Sequence, residues 1–334
     1  MDNNLYVIAE LSANHNNDLD LALRTIDAIA TTGADAVKVQ TYTADSLTLN
    51  VEGEMFMARK GSLWEGRKLY DLYEEASLPY EWHAKLKERA NSLGLEFFSS
   101  PFDLEAVDFL EELGVPRFKI ASFEITDIPL IRYTASKGRP MIISTGVASL
   151  ADIELAVQTC RQEGNNDITL LKCTSEYPAT PDKANLLTIP NLRDTFNVKV
   201  GLSDHTMGST VPVASVVLGA RVIEKHFILD RALGGADAAF SMEPQEFKSM
   251  VAICREALQS LGDVTYLLSD KDRSRRRSLF VSEDIKAGEV LTKENIKSIR
   301  PGHGLHPKYL ESILGRVVNR NLIKGTPVSW DLIV

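Results

Sequence analysis

Two histidines end consecutive apolar runs: His205 closes V-G-L-S-D-H and His226 closes V-I-E-K-H. If those runs are neighbouring parallel strands, about 4.8 Å apart, the two imidazoles can share one metal ion. Two protein ligands leave coordination positions open, as a catalytic ion requires. With few carboxylates beside them, the chemistry implied is Lewis-acid polarisation of a substrate oxygen. Asp204 and Glu224 are then candidates to orient the rings. Lysines sit in or beside the ends of similar runs: Lys38, Lys119, Lys172 and Lys225. A lysine facing a packed interior is costly unless an anion meets it. With hydroxyls from Ser122, Ser144 and Ser203, these lysines describe a hole for phosphate or carboxylate. The plainer alternative is that each lysine pairs with a nearby carboxylate. Glu10 and Glu124 suit proton transfer or the binding of sugar hydroxyls, unless they too only pair a lysine. Asn14 fits an Asx turn as well as a ligand contact. Tyr177 fits a substrate platform or simple wall packing, and His83, in a helix after Trp82, reads as structural.

The elements that must carry these groups are legible as a repeating unit. Tyr6–Glu10 and Ala36–Thr41 are short apolar runs, followed by runs ending at Ser100, Ser122, Thr145, Ser175, His205 and His226. Each is followed by helix-length amphipathic sequence, which predicts an α/β fold of the (β/α)8 TIM-barrel type. In that fold, catalytic groups gather at the C-terminal ends of the strands. Alternation puts Lys38 and Gln40 on one face, and Ser203 and His205 likewise. Periodicity predicts helices over 19–32, 81–92, 104–113, 128–136, 149–163 and 244–261. The longest gap, Thr41 to Glu96, carries Asp45–Gly66, which predicts a lid or substrate wall. The barrel is expected over 1–262, a polar linker over 263–277 ending in the basic run Arg273 to Arg277, and a small unit of strands and turns over 278–334. So short a unit makes a marginal core and is expected to dock on something else. Two similar turns, I-K-A-G at Ile285–Gly288 and I-K-G at Ile323–Gly325, hint at internal pseudo-symmetry.

The bulk properties exclude other classes. The net charge of −9 argues against a nucleic acid or an anionic membrane as partner. Cys160, Cys173 and Cys254 are scattered, which suits a reducing cytoplasm rather than a disulfide framework. Tyr6 already opens a strand, so no signal peptide is expected. No apolar run approaches the ~20 residues that span a bilayer.

The motifs I-A-E-L-S-A-N-H, G-A-D-A-V-K-V-Q-T-Y, S-S-P-F, F-K-I-A-S-F-E, I-I-S-T-G, K-C-T-S-E-Y-P, G-L-S-D-H and V-I-E-K-H-F-I-L-D resemble, in order, the sialic acid synthase family. R-P-G-H-G-L resembles that family's antifreeze-protein-like SAF domain. The resemblance spans essentially the whole chain. Q-T-Y-T-A-D-S-L-T-L, G-S-L-W-E-G-R-K-L-Y-D-L-Y-E-E-A and P-Y-E-W-H are most similar to the pseudaminic acid synthase branch. The N-acetylneuraminate and legionaminate branches, with the same chemistry on another sugar, are the alternative.

The resemblance implies condensation of phosphoenolpyruvate with an amino-sugar aldehyde, 2,4-diacetamido-2,4,6-trideoxy-L-altrose in the pseudaminate branch. The products are a nine-carbon 2-keto acid and phosphate. It implies a divalent metal, Mn2+ with Mg2+ or Co2+ as substitutes, on His205 and His226. Phosphoenolpyruvate contacts would fall on Lys38, Lys119, Ser122, Ser144 and Ser203. Glu10, Gln40, Glu124, Tyr177 and Asp237 would face the sugar or the reacting atoms, with Glu10, Glu124 and Lys119 as the catalytic candidates. Ser175 stands where some members have Asn. The family's domain-swapped homodimer would bring Arg300 of one copy to the sugar bound by the other. Two competing readings are a Schiff-base aldolase, which needs one desolvated nucleophilic lysine, and a non-catalytic sugar-binding protein.

Overall fold

The computed structural model describes residues 4–334. The expectation of no signal peptide rests partly on Met1–Asn3, which lie outside the described residues. Two compact units divide the chain, 1–262 and 263–334.

In the first unit eight parallel strands close into a barrel in sequence order. They are β1 (Tyr6–Glu10), β2 (Ala36–Thr41), β3 (Glu96–Pro101), β4 (Phe118–Ile120), β5 (Met141–Ser144), β6 (Ile168–Cys173), β7 (Lys199–Asp204) and β8 (Val222–His226). The helices are α1 (Leu19–Ala30), α2 (Ala44–Leu47), α3 (Leu69–Ala76), α4 (His83–Ser92), α5 (Leu104–Leu113), α6 (Ile128–Ser136), α7 (Leu150–Gln162), α8 (Thr188–Phe196), α9 (Thr210–Val217) and α10 (Pro244–Leu261). Apolar strand residues such as Val7, Val37, Phe97, Ile143 and Leu170 are fully buried in one continuous core with Ile26, Leu86, Leu110, Val157 and Phe247 of the helices. Local chemistry sets the ends: Asp103 caps α5 by accepting from Ala106 N, and Gly114 stops it in the left-handed region at φ +72°. Ser149 and Asp152 form a capping box on α7.

Several strands stop earlier than the apolar runs. Ser122 opens a 3-10 turn after β4, and Thr145, Ser175 and His205 lie just past β5, β6 and β7. Helices α8 and α9 go beyond the six expected: α9 is apolar on nearly every side, and α8, with Pro190 in its first turn, buries Ile189, Leu192 and Phe196 at helical spacing. The long gap after β2 is ordered. It holds α2, a 3-10 turn at Glu54–Phe56, an antiparallel bridge between Met57 and Lys68, then α3.

Register converts strand ends into one layer. Glu10 pairs with both Lys38 and His226, Ser203 pairs with both Cys173 and Glu224, and Gln40 pairs with Ser100. In a closed barrel, side chains of one parity share the interior. The polar groups therefore meet inside the mouth.

The second unit has its own core, built from Leu279, Val281, Ile285, Leu291, Ile296, Ile313, Val318, Leu322, Val328 and Leu332. Strand β9 (Ser278–Val281) pairs antiparallel with β10 (Ile296–Ile299). The remaining expected strands pair by single bridges, among them Ile285 with Leu322 and Val290 with Val317. Ahead of β9 the polar stretch forms one short helix, α11 (Asp270–Ser274), capped by Ser269.

Candidate active site

Lys38 lies inside the barrel with its ammonium 2.6 Å from Glu10 and 3.9 Å from Glu224. Lys119 reaches Glu224 at 3.3 Å and donates to Ser144 Oγ at 2.7 Å. Ser203 donates to Glu224 at 3.0 Å, and Lys38 to Ser100 at 3.4 Å. Ser122 accepts from the Gly146 amide at 3.1 Å, and a Cβ on Gly146 would collide with Ser175 and Ser122, so the backbone must come this close. Gln40, half-buried, follows Lys38 on the same face. Together these residues form an anion hole of two buried lysines and several hydroxyls, occupied by the protein's own carboxylates.

Beside it stand the histidines, with ring centroids 5.3 Å apart. Tyr177 packs on His205 at 4.4 Å, and Phe240 on His226 at 4.9 Å. Asp237 Oδ2 lies 3.6 Å from His226 Nδ1 and accepts from Ser12 Oγ at 2.6 Å. Burial, reinforced by His205 and the neighbouring lysines, holds the His226 pKa well below the usual imidazole value, so its ring is neutral. For His205 burial opposes the charged form, but the Cys173 sulfur 3.9 Å away outweighs it and raises the pKa. Cys173 itself falls to about 6, since His205 overcomes the effect of burial.

The two carboxylates expected to move protons are both perturbed. Burial pushes Glu10 up to about 7 against the pull of Lys38. Burial pushes Glu124, in the turn after β4, up to about 7 as well. Buried polar atoms without hydrogen-bond partners concentrate here: Glu10 Oε1, Glu124 Oε2, Glu224 Oε2 and His226 Nδ1. Native interiors leave few such atoms, and several in one pocket mark a place made to meet a ligand.

Those observations also bear on a metal. With His205 Nδ1 donating to the Thr174 carbonyl at 3.0 Å, its Nε2 is the nitrogen left for a metal, which would have to displace the proton that the raised pKa favours. His226 is neutral and has an unpartnered buried nitrogen. Two such imidazoles beside Asp237 fit a divalent ion. Among the described residues no three His, Cys, Asp or Glu side chains converge as a full ligand set, so the other positions would fall to substrate and water.

Not every strand lysine joins the pocket. Lys225 points away from Glu224 and His226, and its ammonium meets Asp204 at 2.5 Å and the Thr206 carbonyl. Lys172, out of phase with inward Cys173, donates to the Cys173 carbonyl and to Thr174 Oγ1. The period of two sends both outward. Asp204 therefore serves Lys225 and Thr206, and Glu224 serves the lysines, rather than orienting a histidine. Asn14 ties two loops, donating to the Phe227 carbonyl and to Ser241 Oγ. His83 is structural, bonded to Thr41 Oγ1 at 2.8 Å. Arg300 belongs to the second unit, exposed just after β10. Sequence reading missed Ser12, Ser100, Trp64 and Phe240. The V-I-E-K-H alternation did contain the signal for Glu224, which shares a face with His226. A surface hollow of about 420 Å³ lies at the opposite end of the barrel around Tyr6, Asp35 and Arg255, where Arg255 and Asp35 already pair.

The NeuB family matches residues 25–266, and the SAF domain matches residues 276–334. The pseudaminic acid synthase of Helicobacter pylori is 48% identical over 97% of this chain and 96% of its own length. The N,N'-diacetyllegionaminic acid synthase of Legionella pneumophila is 40% identical over 98% of this chain and 94% of its own. The crystal structure of N-acetylneuraminic acid synthetase from Leptospira borgpetersenii superposes with a TM-score of 0.71 at 34% identity, covering 81% of this chain and 89% of that one. The chain belongs to the NeuB family and carries a SAF domain behind its barrel.

Proposed function

We propose that this chain condenses phosphoenolpyruvate with 2,4-diacetamido-2,4,6-trideoxy-L-altrose and water, giving pseudaminic acid and phosphate. The observation that carries the reading is the joint presence of a two-lysine anion hole and a histidine pair in one barrel mouth, in a chain 48% identical to a pseudaminic acid synthase. Lys38 and Lys119, with Ser122, Ser144 and Ser203, hold the phosphate and carboxylate of phosphoenolpyruvate. An arriving anion displaces Glu10 and Glu224 from the ammonium groups, so charge is exchanged rather than newly buried. Gln40, Tyr177 and Asp237 take the sugar.

His205 and His226 hold a divalent ion, Mn2+ or a substitute such as Mg2+ or Co2+. The ion supplies Lewis-acid polarisation of the sugar's aldehyde oxygen. The C3 carbon of phosphoenolpyruvate forms the new bond to the aldehyde carbon. Water then adds at C2, and phosphate leaves with cleavage of the C–O bond. Glu10 and Glu124, each poised near neutrality, are placed to protonate the aldehyde oxygen or to take the proton of that water. Lys119 steadies the charge that develops on the phosphoenolpyruvate oxygens. It does not suit a Schiff base, because Glu224 and Ser144 hold it from both sides.

The same reading makes the protein a cytoplasmic, domain-swapped homodimer, with Arg300 of one copy reaching the sugar of the other. Three buried free cysteines suit that compartment. No helix among the described residues is long and apolar enough to cross a membrane. The test is phosphate release from phosphoenolpyruvate with Mn2+, comparing the altrose-derived aldehyde with N-acetylmannosamine and the legionaminate precursor. Release with the altrose sugar alone is expected. Release with another sugar would keep the chemistry and move the chain to a sibling branch. Silence with all three would overturn the reading.

A further inference from the structure

Ser12 is a non-glycine residue at φ +48°, a region that L residues other than Asn and Asp rarely occupy. Glycine would fit the same backbone at no steric cost. Ser12 is also almost completely buried, so solvent gives no reason for a hydroxyl there. The hydroxyl has one partner: it donates to Asp237 Oδ2 at 2.6 Å, across 225 residues of sequence. An unfavourable backbone that persists at a pocket wall calls for something the side chain does.

The surroundings narrow what that is. Asp237 is held from its backbone as well, because its carbonyl accepts from Ser241 Oγ at 2.7 Å, and Ser241 Oγ accepts from Asn14 Nδ2 at 2.8 Å. Asn16 ties the same β8 loop at the Leu233 carbonyl, 3.2 Å away. The loop after β1 thus carries the loop after β8. The ties from Asn14 and Asn16 fix the chain path, and the Ser12 hydroxyl is the side-chain hydrogen bond on the carboxylate, beside a bond from the Ala13 amide. The other close groups are the Ala13 amide and His226 Nδ1, the latter at 3.6 Å, so without the Ser12 hydroxyl the carboxylate loses its side-chain hydrogen bond and can turn about the Ala13 contact, away from the aim that Ser12 sets.

We propose that Ser12 is a positioning residue that aims the Asp237 carboxylate at a polar substituent of the sugar, trading backbone ease for that aim. This rests on the proposed function, in which Asp237 faces the sugar. The decisive variant is Ser12→Gly, which relieves the backbone while deleting the hydroxyl. Expected is a melting temperature equal to or above that of the parent chain, a phosphoenolpyruvate KM within about twofold, and sugar kcat/KM lowered about tenfold or more, the scale of one lost hydrogen bond to a charged group. Adding Ser12→Gly to Asp237→Asn should then cost little further, since the two act through one contact. Unchanged sugar kinetics in Ser12→Gly would overturn the proposal. So would a lowered melting temperature with equal losses for both substrates, or losses that add fully to those of Asp237→Asn. Silence of the parent chain with every sugar would instead overturn the proposed function, before Ser12 is at issue.

Discussion

Lys119 and Lys225 are both buried lysines on barrel strands, and one residue of phase separates their roles. Lys119 shares its ammonium between Glu224 and Ser144 in the mouth, whereas Lys225 is locked to Asp204 and the Thr206 carbonyl on the other side of its strand. Removing one partner of a buried pair strands the other charge, at about 3–5 kcal/mol. Lys225→Met should therefore lower stability by that order and leave the phosphoenolpyruvate KM of the folded fraction unchanged. Lys119→Met also strands a buried carboxylate, Glu224, but unlike Lys225→Met it should raise that KM at least about tenfold. Urea melts and initial rates on both variants check this, and a rise in KM for Lys225→Met would put that lysine back in the pocket. Glu124 makes a pH prediction. Its folded pKa of about 7 lies above the ordinary 4.5 because of burial, so the folded state holds a proton that the unfolded chain releases. The stability this confers is full below about 4.5 and is lost as pH rises through 7. Glu124→Gln should accordingly be more stable than the parent at pH 8, by on the order of 2–3 kcal/mol, and no more stable at pH 4. The parent kcat should show a limb near pH 7 that Glu124→Gln lacks. A limb retained in that variant would belong to Glu10, which burial brings to the same range.

At the scale of elements, the long loop after β2 borders the mouth through Trp64. Trp64 on that loop donates its indole N–H to the Ala236 carbonyl at 3.0 Å, and its ring lies 6.0 Å from Tyr177. It is placed to wall the side of the pocket that the sugar would enter, away from the lysines. Trp64→Ala should raise the sugar KM about tenfold while the phosphoenolpyruvate KM stays within about twofold, since truncating a packed aromatic contact costs a few kcal/mol at most where the loop can settle. Steady-state kinetics varying each substrate separately decides it, and equal shifts in both would mean the loop collapses as a whole. This loop also shows how far the sequence could be read. Its length and place at the catalytic end were visible from the gap between Thr41 and Glu96. That Trp64 touches Ala236 was not, because the contact joins positions 172 residues apart and leaves no periodic trace. Alternation and apolar runs revealed the barrel and brought Glu10, Lys38, Ser203 and His226 to one layer. They could not tell whether Lys172 faces in or out without the register that Cys173 shares with Ser203. Nor could they flag Ser12, whose conformation is imposed by a partner far along the chain.

At the scale of the whole molecule, the two units keep separate cores. The barrel core runs from Leu5 to Cys254, and the small core from Leu279 to Leu332. Every lysine and hydroxyl assigned here to phosphoenolpyruvate lies before residue 262, and Arg300 lies after it. A chain ending at Gly262 should therefore fold, with a cooperative melt and native barrel secondary structure, because its core loses no member. Its affinity for phosphoenolpyruvate, read by tryptophan fluorescence, should stay within about threefold of the full chain. Its sugar kcat/KM should fall by at least the ~10–100-fold expected for one lost charged hydrogen bond, together with whatever exclusion of water the SAF domain provides. Arg300→Ala in the full chain separates the two contributions: it should reproduce the rise in sugar KM while sparing more of kcat. If removing the whole domain costs no more than removing that one side chain, the arginine is the domain's contribution to catalysis. If the truncated chain turns over normally, the SAF domain serves something other than this reaction, and the domain-swapped dimer loses its functional argument.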